Sequence, residues 1–229
     1  AQCFEKLKEV YTPSSSAEAL GVAVAVLRSR RDDVGDKFDA QMEQWIDRAL
    51  SENPDSISLK LIQGDFFDVQ KNYEAASEVY RKLLERRDLD GVRRAIVLNN
   101  LAYLIALAGP AAAAGNADPM SYINEAADIL GPNSDILDTR AVILTSQGKF
   151  DRALQDLELC VTDNPTSSKY FHKAVAHLRS GQNREAVESW EQAEKLGLNR
   201  EDLNRLEFPQ YDEIKGKIEE LRKGSASVT

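Results

Sequence analysis

Apolar residues along this chain recur at helical spacing in blocks of a dozen or more, with short polar or Gly/Pro punctuation between them. Phe38, Met42, Ile46 and Ala49 form one such stripe, which Asn53-Pro54 brings to a stop. The same pattern predicts helices over about 38–52, 56–69, 73–86, 92–108, 119–130, 134–147, 150–162, 168–180 and 184–196. Ahead of these, Ser15-Ser16-Ala17-Glu18 has capping-box spacing and predicts a helix running to about Arg30. At Asp118-Pro119 an N-cap precedes a proline at the first helical position, where its missing N–H costs nothing. Gly109, Gly131, Gly148 and Gly181 each follow an apolar helix, where a residue that tolerates the left-handed conformation ends it. No alternating strand pattern intervenes, and the fold class expected is all-α.

The stripes repeat. Ile46, Tyr80, Ile123, Leu157 and Trp190 sit in the middle of successive second helices, at spacings of 34, 43, 34 and 33 residues. Three positions after each stands Ala49, Leu83, Ala126, Cys160 or Ala193. Gly64, Ala102, Ala141 and Ala174 mark the middles of the preceding helices, with the longer steps taken up before Val92 and by the Ala-rich insertion of residues 110–116. A two-helix unit of about 34 residues is the period of a helical solenoid. Close packing gives the reason: a small residue lets two helices approach, and large neighbours fill the space around the contact.

The residues that carry this period resemble tetratricopeptide repeats. Leu137, Ala141, Leu144, Gly148, Phe150, Ala153, Leu157, Cys160 and Pro165 follow the family pattern, and Tyr170, Ala174, Gly181, Ala186, Trp190 and Ala193 repeat it. Gly64, Phe67, Tyr73, Ala76 and Tyr80 form a further copy. The third unit departs by its insertion and by Pro119 where a small Ala is expected. The resemblance implies one domain over residues 1–229, a right-handed α-solenoid of four to five helix-turn-helix repeats. Its units run 14–54 (degenerate), 56–89, 92–132, 134–166 and 167–198. Residues 199–224 are the expected C-terminal cap, with Ile214, Ile218 and Leu221 on one side of a final helix.

Composition narrows the function. With Lys plus Arg at 29, Asp plus Glu at 38 and a net charge of -9, the chain would repel a polyphosphate backbone, so nucleic acid is not expected. The longest apolar runs, 19–27 and 101–114, fall short of the roughly 20 residues that cross a bilayer. The start, AQCFEKLKEV, already reads as helix through Phe4, Leu7 and Tyr11, and suggests a fragment or processed chain. Cys3 and Cys160 form no C-x-x-C motif and leave the compartment open, with the cytoplasm favoured.

Catalytic chemistry finds little support. His172 and His177 point about 140° apart on one helix and make a poor metal pair, so no metal or cofactor is expected. No phosphate loop, G-x-S-x-G or Cys/His arrangement is present, and Asp65 with Asp68 reads as a solvated acidic face. No catalytic residue is assigned.

The resemblance instead implies binding of a peptide or partner protein along a concave wall of first helices. Carrying over the inward positions selects Asp65, Asp68, Asn99, Asn100, Tyr103, Asp138, Thr139, Phe171, His172 and Arg179. Side-by-side amides at Asn99 and Asn100 suit a peptide backbone, and Tyr103 and Phe171 suit either anchoring or core packing. The acidic lining points to a basic or neutral partner segment. One branch of the family clamps a chaperone's C-terminal carboxylate, but of the matching Leu61, Asp65, Asn100, Asp135 and Thr139 only Asn100 conforms, so that clamp is not expected. Two other readings stay open: a spacer or self-assembly segment of a larger repeat protein, and an enzyme with an unrecognised site.

Overall fold

The computed structural model describes residues 17–29, 34–109 and 118–226. Among them are eleven α-helices and no strand. These are α1 (Ala17–Ser29), α2 (Asp39–Glu52), α3 (Ile57–Val69), α4 (Tyr73–Leu84), α5 (Gly91–Ala108) and α6 (Pro119–Leu130). They continue with α7 (Ser134–Ser146), α8 (Phe150–Asp163), α9 (Ser167–Arg179), α10 (Asn183–Lys195) and α11 (Phe208–Ala226). Two 3-10 turns, Arg200–Asp202 and Arg205–Glu207, lie between α10 and α11. From α2 to α10 each boundary falls within two residues of the one predicted. Phe4, Leu7 and Tyr11, the Ser15 and Ser16 end of the first cap, and the Ala-rich insertion lie outside the described residues.

Caps explain the starts. The side chains of Ser56, Asn72, Asp90 and Thr166 accept hydrogen bonds from the backbone N–H groups of Leu59, Ala75, Arg93 and Lys169. Asp118 does the same for Met120, with Pro119 at the first helical position as expected. Gly148 and Gly181 follow α7 and α9 at φ 72° and 81°, a region that costs a side chain energy. Lys71 takes that conformation after α3, at φ 63°.

From α3 to α10 the helices pack chiefly in chain-neighbour pairs, α3 on α4, α5 on α6, α7 on α8 and α9 on α10, with α4, α6 and α8 in turn touching the pair that follows, whereas α1 packs mainly on α3. Buried apolar residues accordingly form five clusters, each drawn from helices close in sequence. Every recurring position is buried, from Ile46, Tyr80, Ile123, Leu157 and Trp190 to Ala49, Leu83, Ala126, Cys160 and Ala193. Ala102, Ala141 and Ala174 are fully enclosed where paired helices approach. Gly64 is the tightest of these crossings, because a Cβ there would lie 2.7 Å from Cε1 of Tyr80.

α5 alone among the described helices is long and apolar enough to cross a membrane by length and composition. Its Val97, Leu98, Leu101 and Ala102 are 0% exposed inside the protein, while Val92 and Ile96 are exposed.

After α10 the chain turns back on itself. The first 3-10 turn packs against α1, the second against α5, and Leu206 joins the apolar cluster of α4 and α5. Residues 199–207 thus run as a strap from the last helix pair to the first helix, before α11 seats Phe208, Ile214 and Ile218 against Phe171 and Trp190.

Candidate functional site

Helices α3, α5, α7 and α9 send polar side chains into one cavity of about 240 Å³, which the strap helps to line. Asp65 and Asp68 come from α3, Asn100 and Tyr103 from α5, Asp138 from α7 and His172 from α9. Residues three or four apart share a helix face, so one turn of α3 delivers both aspartates. Arg28 of α1 and Asn204 and Glu207 of the strap complete the wall.

His172 lies at the centre. Its Nδ1 donates to Oδ1 of Asp138 at 2.7 Å and its Nε2 to Oε1 of Glu207 at 2.8 Å. Burial pulls the imidazole's pKa down, but the Asp138 and Glu207 carboxylates outweigh it and raise the value to about 10. The ring is therefore a cation at neutral pH, with both nitrogens committed as donors. Glu207 is 1% exposed and takes three bonds: from His172, from the Tyr103 hydroxyl at 2.8 Å, and from the backbone N–H of Asn204 at 3.1 Å. Burial, and then the adjoining Glu207 carboxylate, push the Tyr103 hydroxyl well above its ordinary range, which keeps it a donor.

A second branch runs toward α1. The Asn204 amide donates to Oδ2 of Asp68 at 3.1 Å, and Arg28 stands 3.3 Å from the same oxygen. The Tyr80 hydroxyl donates to Asp65 at 2.7 Å. Burial raises the pKa of both aspartates, against the lowering pull of the Tyr80 bond on Asp65 and of Arg28 and Asn204 on Asp68. The solvated acidic face expected of Asp65 and Asp68 is corrected here: both are largely enclosed, with Tyr80 of α4 bonded to Asp65, and Arg28 of α1 and Asn204 of the strap bonded to Asp68. Arg28 and His172 are the two cations seated among the carboxylates of Asp65, Asp68, Asp138 and Glu207, so this wall keeps more carboxylates than cations.

The remaining candidates divide. Asn100 reaches this cavity, while Asn99 sits beside it on α5, half-buried and donating to Asn100 at 3.5 Å. Thr139 is buried and lines neither this cavity nor its neighbour. Phe171 is fully buried, packed against Trp190 and Tyr211 at ring separations of 6.2 and 6.0 Å, so it belongs to the core. Arg179 lies at a separate, more apolar cavity of about 360 Å³ together with Val142, Val175, Leu206 and Glu213. His172 touches both cavities.

Sequence reasoning missed Arg28, Tyr80, Asn204 and Glu207. A signal was present for the last two, because Asn204 and Glu207 have capping-box spacing, and the box forms in the second 3-10 turn. Nothing in that spacing says which wall the turn would meet.

Other titratable groups are held in structural contacts. Burial pushes the Cys160 thiol up to about 12, and its Sγ bonds to the Ser134 carbonyl. Lys169 is buried and donates to Ser134 and Asp135. Burial lowers the pKa of His177, which bonds Gln182. Among the described residues no group of three or more His, Cys, Asp or Glu could hold a metal ion.

Fold and site together define an all-helical protein of paired helices with an ionic cluster enclosed beneath its C-terminal strap. Compared with known proteins, the chain matches no family model and no curated protein.

Proposed function

We propose that the chain is a tetratricopeptide-like α-solenoid, right-handed, that binds a peptide or partner protein on the wall formed by α3, α5, α7 and α9. One observation carries this reading: the wall already holds a stretch of polypeptide through side chains drawn from three of those helices. The repeat of about 34 residues, the neighbour-to-neighbour packing and the serial core clusters support the architecture. The larger cavity, bounded by Val142, Val175 and Leu206 with Arg179 at its side, is the part of the wall open to a partner. Arg179 is exposed and makes no hydrogen bond or ion pair among the described residues, so it suits an apolar segment carrying a carboxylate.

A non-enzymatic role fits the same chemistry. His172 has both nitrogens occupied by carboxylates and is protonated at neutral pH, which disqualifies it as a general base. A thiol raised to about 12 is a poor nucleophile.

Photo-crosslinking tests the binding surface. A photoreactive residue at Val142 or Arg179 should capture a discrete partner from cell extract, and one at exposed Glu188 of α10 should not. Equal capture from Glu188 would move the binding surface elsewhere.

A further inference from the structure

We infer that residues 203–208 are a built-in ligand, which closes the first-helix wall until a segment offering the same groups displaces it. Those groups are a side-chain amide and, three residues on, a carboxylate. This rests on the binding wall proposed above and adds what the wall recognises and how it is kept closed.

The contacts are those of a ligand more than of a connecting loop. Asn204 reaches Asp68, 136 residues away, and Glu207 reaches Tyr103, 104 residues away. The segment thus bonds side chains of three helices, α3, α5 and α9, and His172 passes the contact on to Asp138 of α7. The strap's own backbone contributes little, since 3-10 turns are short and weakly bonded. Its few local bonds include Leu203 N–H to the Arg200 carbonyl and Glu207 N–H to the Asn204 carbonyl. Its hold on the wall comes from side chains.

A burial argument points the same way. Exchanging a buried ion pair for well-packed apolar residues is often neutral or stabilising. A strap that served only to cover α5 would do so with an apolar side chain at position 207. A glutamate there leaves a wall which, once bare, presents an imidazolium, a phenol hydroxyl and the Asp68 carboxylate, and those ask for a carboxylate and an amide in return. Beside the strap lies the 360 Å³ cavity with Leu206 in its wall, a point at which a competing chain can enter. With only Arg28 and His172 as cations among its four carboxylates, the wall also remains compatible with a basic partner segment.

A dye-labelled synthetic peptide of residues 199–210 tests this by fluorescence anisotropy against the unchanged chain and against Glu207→Ala. The peptide should bind Glu207→Ala at least about tenfold more tightly than the unchanged chain, a gap of one decade in Kd. Replacing the peptide's own glutamate by glutamine should remove most of that binding. Equal affinity for both chains, or no binding to a Glu207→Ala chain whose circular dichroism and melting show it folded, overturns the inference. Should Glu207→Ala not fold, native-state hydrogen exchange on the unchanged chain decides. Amides of Leu203, Leu206 and Glu207 that exchange by local opening, ahead of α9 and α10, support a displaceable strap, and exchange only on global unfolding overturns it. Capture at Val142 with the strap still protected would leave the binding wall standing and remove this inference alone.

Discussion

His172 illustrates how far a single residue's role depends on its surroundings. Exposed, an imidazole is mostly neutral at pH 7, whereas between Asp138 and Glu207, with Tyr103 closing the group, its pKa rises to about 10. A raised histidine stabilises the fold fully below its unfolded pKa of about 6.5, and that contribution disappears as pH climbs through about 10. The thermal midpoint of the chain should therefore fall between pH 7 and 10. His172→Gln should be less stable at pH 7 by about 1–3 kcal/mol, because it removes the charged partner shared by buried Glu207 and partly buried Asp138, and should lose that part of the pH slope. Parallel slopes for the two chains in melts across this range would refute the assignment. The sequence placed His172 on an inward helix position and rated it a poor metal ligand. Asp138 stands one repeat period before His172, so that pairing was within reach of the sequence, whereas Glu207 comes from the strap, outside any repeat, and no spacing announces it.

Helices and their crossings were far more legible. Periodicity and caps are local properties, so helix boundaries could be read from stripes such as Phe38, Met42, Ile46 and Ala49 and from caps such as Asp118-Pro119. The small residues also stood out, and Gly64 shows why that position must be small. Gly64→Ala gains the higher helix propensity of alanine but places a Cβ against the Tyr80 ring. Overpacking should win, with a net loss of about 1–3 kcal/mol measurable by urea denaturation. The ring cannot easily swing away, since its hydroxyl is bonded to Asp65. Equal or greater stability in this variant would mean that α3 and α4 have room to separate. Residues 199–207 were the weak point at this scale. Their polar sequence looked like the outer edge of a cap, and the capping-box spacing of Asn204 and Glu207 describes a turn without saying where it docks.

Across the whole molecule, the strap connects elements that neighbour-to-neighbour packing alone would leave apart. Leu20, Ala23 and Leu27 hold α1 to Ile62 and Phe66 of α3, and Arg28 adds an ionic contact to Asp68, which in turn binds Asn204. The Arg28 side chain is 38% exposed, so solvent screens it and Arg28→Ala should cost only about 0.5–1 kcal/mol. Its clearer effect should be faster amide exchange in the first 3-10 turn, which packs on α1, with α7 to α10 unchanged; uniform acceleration throughout the chain would show that the strap has no separate stability. The division between what the chain encodes locally and what folding adds is now concrete. Sequence by itself determined the all-helical class, the helix limits and the recurring small and large positions, because these depend on contacts within a few turns and on a repeated packing rule. Only the tertiary structure decided that Asp65 and Asp68 are enclosed, that Phe171 is core, that His172 is charged, and that the chain's own C-terminal segment covers the wall. Those outcomes depend on long-range contacts of the strap and of α11, polar ones such as Asn204 with Asp68, 136 residues apart, and apolar ones such as Tyr211 with Phe171, which lie outside the repeat period.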